Sequence, residues 1–231
     1  MENTLVVIPA RGGSQRLPQK NVKLLNGKPL IRYSIDVART VFDDQHICVS
    51  TDNPSIKAIA EQSGLPVPFL RPAALATSTA SSRDVLLHAI HHYRTHQNHP
   101  VDQVLLLQPT SPFRTAGHLR EALALFTPEV DLVVSVKETK ANPYFTLFEM
   151  NQQGYLTPSK PHHLTRAQDC PPVYELNGSI YVIRTECLER LPLADFDRRV
   201  PYPMEERYSV DIDTEFDWHF AEYLASHFAT V

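Results

Sequence analysis

The sequence predicts an α/β chain built on a mostly parallel sheet in three layers, with helices on both faces. Two observations carry that expectation. Short aliphatic and β-branched runs alternate with stretches of helical period, the pattern left when parallel strands are joined by helical crossovers. The 231 residues are 42% hydrophobic, enough to bury one large core.

In chain order, the short apolar runs predict strands at Leu5–Pro9, Ile47–Thr51, Val67–Leu70, Val104–Leu107 and Leu132–Val136. Between them the helical period predicts helices at Leu30–Val41, Ser55–Ser63, Ser82–His96 and Ala116–Phe126. The helix from Ser82 carries Val85, Leu86, Ala89, Ile90 and Tyr93 on one stripe, as a packed amphipathic helix should. A last helix starts at Thr214 as N-cap with Asp217 three residues on, and Phe216, Phe220, Leu224 and Phe228 form its expected core face. The arrangement is Rossmann-like, and a single domain is expected over residues 1–231. Between Asn142 and Pro172 several prolines and Gly154 break the periodicity, so this segment is expected to be a small protruding arm.

In such sheets ligands sit beyond the carboxyl ends of the strands. Two segments fall there and share one rim: the loop Pro9–Asn21 and the turn Gln108-Pro109-Thr110. The loop has the chemistry of a triphosphate cradle. Gly12 and Gly13 allow the backbone to turn N–H groups inward, Ser14 adds a hydroxyl, and Arg11, Arg16 and Lys20 can neutralise several phosphate charges. Arg11 and Lys20 are the candidates for the β- and γ-phosphates, and Asn21 can read the nucleoside through its amide. No Gly-Lys-Ser/Thr closes the loop and it lacks the three-glycine spacing of a dinucleotide fingerprint, so both of those site types drop in rank.

A second cluster lies near the other end, at Asp211 and Asp213. If Tyr208–Asp213 is a strand, the two carboxylates point to one side, with Val210 and Ile212 on the other. That is the outline of a magnesium site, since Mg²⁺ takes oxygen ligands from one or two carboxylates together with substrate phosphates. Gln108, just past a strand end, can exchange hydrogen bonds with sugar hydroxyls or an N-acyl group. Arg114 follows the turn and is assigned no role; a surface charge is the plain reading.

Four blocks in order, Ile8–Asn21, Leu107-Gln108-Pro109-Thr110-Ser111-Pro112, Asn177-Gly178-Ser179-Ile180-Tyr181-Val182 and Val210-Asp211-Ile212-Asp213-Thr214, together resemble the acylneuraminate cytidylyltransferases, the CMP-nonulosonic acid synthetase family. The resemblance covers nearly the whole chain. It implies a Mg²⁺-dependent transfer of CMP from CTP to the anomeric hydroxyl of a nine-carbon 2-keto sugar acid (sialic, legionaminic, pseudaminic or related), with release of pyrophosphate. It assigns Arg11, Asn21, Arg71 and Ser82 to the nucleotide, and Gln108 to the acceptor. Asn177 is expected to contact the sugar, with Gly178 permitting close backbone approach. Arg166-Ala167-Gln168-Asp169 resembles a family motif with arginine directly before Gln-Asp. Here that place is Ala167, so Arg166 is the candidate guanidinium beside Gln168. A family lysine is replaced by Gln15, and Arg16 is the candidate substitute. The resemblance further implies that the arm, residues 142–172, pairs two subunits into a homodimer and completes each partner's site. The competing readings are a nucleotidylyltransferase for another sugar, such as an eight-carbon keto acid, and a non-catalytic nucleotide-sugar-binding protein.

The remaining totals narrow the class. A net charge of −4 argues against a nucleic-acid partner. Cys48, Cys170 and Cys187 have no paired spacing, so neither a disulfide framework nor a cysteine-zinc site is expected. No signal segment and no membrane-length apolar run is visible, which predicts a cytoplasmic protein. His88, His92 and His96 recur every four residues, and without an acidic or cysteine partner they read as a solvated or interface face. His162 and His163 fall in the arm with no assigned role.

Overall fold

The computed structural model describes residues 3–14, 16–161, 163 and 166–227. The elements run β1 (Thr4–Pro9), β2 (Leu24–Leu25), β3 (Lys28–Pro29), α1 (Leu30–Arg39), β4 (Ile47–Ser50), α2 (Pro54–Gln62), α3 (Ser82–His96) and β5 (Gln103–Leu107). They continue with α4 (Ala116–Ala124), β6 (Leu132–Glu138), β7 (Phe148–Met150), β8 (Leu156–Pro158), β9 (Tyr174–Arg184), α5 (Thr185–Arg190), β10 (Arg199–Pro203) and α6 (Glu215–His227). Six strands form the central sheet in the order β10-β6-β9-β5-β1-β4. Only β9 is antiparallel to its neighbours, so the sheet is mostly parallel as expected.

Strand β1 explains the layering. Its alternating side chains point to opposite faces. Val6 and Ile8 join α1, α2 and α4 through Ile31, Ile35, Ile56, Ala60 and Leu119. Leu5 and Val7 face the other way, toward Leu86, Ala89 and Ile90 of α3 and Leu188 of α5. A third cluster decides the site: Leu17 of the opening loop, Ile212, Phe113 and Trp218 of α6 bury one another. Full burial of such a side chain is worth about 1.5–3 kcal/mol, more than an exposed ion pair at about 0–1 kcal/mol. Packing therefore brings the first loop to the Asp211–Asp213 segment.

Several sequence expectations are corrected. Val67–Leu70 is not a strand, because Pro66 and Pro68 have no N–H to give to a ladder. Tyr208–Asp213 is not a strand either: a 3-10 turn covers Glu206–Tyr208 and the chain then runs without a ladder partner. Strands β9 and β10 extend the sheet where only a motif was read. On α6 the buried face is Trp218, Ala221 and Leu224, while Phe216 is 81% exposed and Phe220 47% exposed; Phe228 lies outside the described residues. Trp218 wins the interior place because its bulk fills the third cluster, its Nε1 donates to Glu222 at 2.9 Å, and Lys23 caps its ring at 4.2 Å.

The 142–172 segment carries the antiparallel hairpin β7–β8, with Phe148, Met150, Tyr155 and Leu156 exposed. Its base is closed by Asn142, whose Nδ2 donates to the Pro171 carbonyl at 3.1 Å. Among the described residues no helix is long and apolar enough to cross a membrane.

Candidate active site

A cleft of about 520 Å³ opens beyond the carboxyl ends of β1 and β5. The opening loop supplies Arg11, Ser14, Arg16, Lys20 and Asn21 to its wall, and Arg71 and Ser82 face it from the approach to α3 and its first turn. Gln108, Pro109 and Thr110 contribute from the turn after β5, and Asp213 closes the ring. Thr77 and Ser78 also line it, two positions to which the sequence assigns no role.

Gln19 adopts φ 55° and turns the loop into a 3-10 turn at Lys20–Val22 that buries Lys20 and Asn21. Lys20 Nζ then donates to the Ile212 carbonyl at 2.5 Å and to Asp213 Oδ1 at 3.0 Å. Arg16 Nη1 lies 3.4 Å from Asp213 Oδ2 at the exposed edge. Asn21 Nδ2 donates to the Arg11 carbonyl at 3.1 Å, while its Oδ1 is buried without a partner among the described residues. Arg11 Nη1 reaches the Thr77 carbonyl at 3.1 Å, closing the loop over the cleft. Gln15, where the resemblance expects a lysine, lies outside the described residues, as does His162.

The glycine pair divides its roles. Gly12 does not present a free amide: its N–H donates to Asp52 Oδ1 at 3.1 Å, and a Cβ there would sit 2.4 Å from Asn53 Nδ2. Only Gly13 has open space around it. Arg71 is buried, its Nη2 3.6 Å from Asp52 Oδ1 and its Nε without a partner. Burial pushes its guanidinium down, and Asp52 pulls it back.

Asp211 and Asp213 flank Ile212, which is fully buried and donates its N–H to the Thr110 carbonyl at 2.8 Å. Ile212 is pinned inward, and of the two carboxylates beside it Asp213 lines the cleft while Asp211 lies at its edge, near Gly178. Asp211 keeps an exposed edge, yet burial of its carboxyl raises it above the usual carboxylate range; the Thr110 hydroxyl opposes that shift and the neighbouring charge of Asp213 adds to it. Among the described residues Asp211 has no ion-pair partner within 4 Å. The pair supplies carboxylate oxygens, the donors a hard divalent cation takes, with Asp213 already neutralised in part by Lys20 and Arg16 and Asp211 within reach of the charges on Lys20 and Arg114.

Gly178, at φ +69°, brings the third motif against this rim. A Cβ on it would lie 3.1 Å from Gln108 Oε1 and 3.7 Å from Asp211 Oδ2. Asn177 itself is placed differently from the expectation of a sugar contact. It is 3% exposed, its Oδ1 accepts from Ser135 Oγ at 2.6 Å and from the Ser179 N–H at 3.1 Å, and its Nδ2 donates to Ser209 Oγ at 3.0 Å. With its amide spent on a buried network, Asn177 braces β9 against the segment leading to Asp211. Arg114, to which the sequence assigns no role, is fully buried. Its Nε donates to Ser179 Oγ at 3.1 Å, its Nη1 to Ser34 Oγ at 3.2 Å, and its Nη2 to the carbonyls of Ser111 and Gln108. Burial pushes this guanidinium down to about 9, with Asp211 the charge that opposes the shift. Arg114 thus holds the turn that presents Gln108. No periodicity marks such a residue, though its place two residues after Pro112 in a strand-end turn is a signal.

Arg166 and Gln168 are not brought to the cleft within one chain. Arg166 forms a two-point ion pair with Asp169 at 2.8 and 3.1 Å, both on an exposed part of the arm. The histidines of α3 stack on one another and on Phe69: His92 and His96 are 4.6 Å apart, and Phe69 meets His88 edge-on at 4.8 Å.

Comparison with known proteins gives concordant results. A family model described as Cytidylyltransferase matches residues 5–211. The chain is 38% identical over 223 residues to the CMP-N,N'-diacetyllegionaminic acid synthase of Legionella pneumophila, covering 95% of each. It is 35% identical to the N-acylneuraminate cytidylyltransferase of Streptococcus agalactiae, covering 93% of this chain and 51% of that longer one. Among solved structures, a CMP:2-keto-3-deoxy-manno-octonic acid synthetase complexed with CTP superposes with a TM-score of 0.70 at 20% identity, over 96% of this chain and 98% of that one. That likeness speaks to the fold.

Proposed function

Since this chain belongs to the cytidylyltransferase family, we propose that it transfers CMP from CTP to the anomeric hydroxyl of a nine-carbon 2-keto sugar acid, releasing pyrophosphate. One observation carries the reading: the loop cations Arg11, Arg16 and Lys20, the carboxylate Asp213 and the amide of Gln108 line a single cleft. A triphosphate, a divalent ion and a hydroxylated acceptor need that combination in one place.

In this reading the anomeric oxygen attacks the α-phosphorus, and the bond to the bridging oxygen of pyrophosphate breaks. Arg11 and Lys20 offset the charge that gathers on the leaving group. The orphaned Oδ1 of Asn21 and the unpartnered Nε of Arg71 are groups that a nucleoside would satisfy, with Ser82 beside them. Ser14 and the Gly13 amide add neutral donors. Gln108 orients the acceptor. Asp211 and Asp213 would hold Mg²⁺, which when bound would offset charge on the phosphate oxygens and acidify the acceptor hydroxyl. Deprotonation of the acceptor hydroxyl is assigned to a metal-assisted route through an aspartate, with Asp211 the one to test. An unshifted pH–rate profile with full activity in Asp211→Asn would remove that role.

The exposed apolar hairpin β7–β8 supports a homodimer in which each arm reaches its partner and carries Arg166 and Gln168 there. A mass of one chain by light scattering at working concentration would contradict it. Three free thiols, two of them buried, suit the reducing cytoplasm.

The deciding experiment is pyrophosphate release with CTP, Mg²⁺ and a panel of nonulosonic acids, with Asp213→Ala as control. Saturable CTP binding without turnover across the whole panel would favour a nucleotide-binding protein instead.

A further inference from the structure

We propose that Asp52 is a positioning residue that clamps the opening loop to Arg71 and so builds the nucleotide site before any ligand arrives. The inference rests on the CTP-binding reading above. Asp52 belongs to the turn after β4, one residue past Thr51, and lies outside the motifs that identify the site. One of its oxygens makes both contacts: Oδ1 accepts the Gly12 N–H at 3.1 Å and faces Arg71 Nη2 at 3.6 Å.

The turn carrying it is held from three sides. The Arg71 N–H donates to the Thr51 carbonyl at 2.7 Å, the Asn53 N–H donates to Thr51 Oγ1 at 3.1 Å, and Asn53 Oδ1 caps α2 through the Ser55 N–H at 2.8 Å. The loop rests directly on that turn, since Asn53 occupies the space a Cβ on Gly12 would need. Gly12 is thus required for contact with Asn53, and its amide for contact with Asp52. Arg71, with a side chain 4% exposed, has Asp52 as its one carboxylate within 4 Å among the described residues.

A carboxylate beside a triphosphate site is electrostatically unfavourable for a polyanion. Its presence is explained if its value lies in geometry: a buried guanidinium needs a counter-charge to stay fixed, and a loop that must present cations needs an anchor. The two effects have opposite signs when Asp52 is changed, which makes them separable.

The test is calorimetric titration of CTP with Mg²⁺ into wild type, Asp52→Asn and Asp52→Ala at low and high salt, with the unliganded Tm of each. Asp52→Asn retains an acceptor for the Gly12 N–H but loses the charge on Arg71; Asp52→Ala loses both. The clamp predicts a Kd about tenfold higher in Asp52→Asn and higher again in Asp52→Ala, and the loss persists at high salt. Should Asp52→Ala fail to fold, Asp52→Glu replaces it, keeping the charge while displacing the carboxylate, and is expected to bind CTP more weakly as well. Unchanged or tighter binding by Asp52→Asn overturns the clamp. A wild-type chain that binds no CTP overturns the nucleotide reading itself, and the clamp with it.

Discussion

Lys20 Nζ lies 3.0 Å from Asp213 Oδ1, joining residues 193 positions apart in the chain. The lysine is buried and the aspartate half exposed, so the pair faces the cleft from below, with its carboxylate side open. The cation of the phosphate loop and one acid of the carboxylate pair therefore already touch, and a bound triphosphate would share that lysine.

Replacing Asp213 with Asn should break this arrangement while sparing the fold. The Lys20 contact to the Ile212 carbonyl survives, but the second carboxylate is gone. Steady-state pyrophosphate release should fall about a hundredfold or more in kcat/KM. Retention of more than a tenth of wild-type kcat/KM would exclude a role for Asp213 in the reaction.

Gly178→Ala tests the acceptor rim. A residue at φ +69° with a Cβ costs about 1–2 kcal/mol, and the added methyl presses on Gln108 Oε1. We expect a Tm lower by about 2–8 °C and a raised KM for the sugar acid, with the KM for CTP unchanged. Steady-state kinetics with each substrate varied in turn would check the split.

Asp211→Asn should stabilise the protein at neutral pH while slowing catalysis. Burial raises the folded carboxyl above its ordinary value of 3.8, so the native state holds its proton more tightly than the unfolded chain does. Stability of the wild type then falls as pH rises through that window. Thermal melts should find the variant more stable at pH 7. The gap should shrink as pH falls through the raised value and close below the ordinary one.

Thr214→Ala should remove half of the cap on α6. Asp217 Oδ2 accepts from the Thr214 N–H at 2.7 Å, and the Asp217 N–H donates to Thr214 Oγ1 at 3.3 Å. The loss should be about 1 kcal/mol in chemical denaturation at neutral pH. Burial opposes ionisation of Asp217, but its hydrogen bonds from Thr214 and Asp213 outweigh this and hold it below the usual range. Its contribution is thus present above the unfolded carboxyl pKa and lost as pH falls through the lowered one, so the effect of Thr214→Ala should shrink in acid.

Much of this molecule is legible one segment at a time. Helix α3 begins at Ser82 and ends at His96 as its apolar stripe predicts, and the Thr214–Asp217 cap stands where the sequence places it. The rest depends on groups far apart in the chain. The face α6 buries could not be read from its own residues, because Phe216, Phe220 and Leu224 make as good a stripe as Trp218, Ala221 and Leu224. The choice was made by Lys23, Leu17 and Ile212. The same holds for Arg114, whose partners Ser34 and Ser179 lie 80 and 65 positions away.

The sequence by itself determined the alternation that makes the sheet, the cations and carboxylates available for chemistry, and the placement of the opening loop and of Gln108 at strand ends, since each follows from residue type and local period. Tertiary structure alone decided which of those groups remain free. Gly12 and Asn177 have their amides spent on Asp52 and on a buried network, Lys20 is shared with Asp213, and Asn21 and Arg71, on the cleft wall, each keep a buried atom without a partner among the described residues. A hydrogen bond is settled by who arrives within 3 Å, and that depends on how Leu17, Ile212 and Trp218 pack.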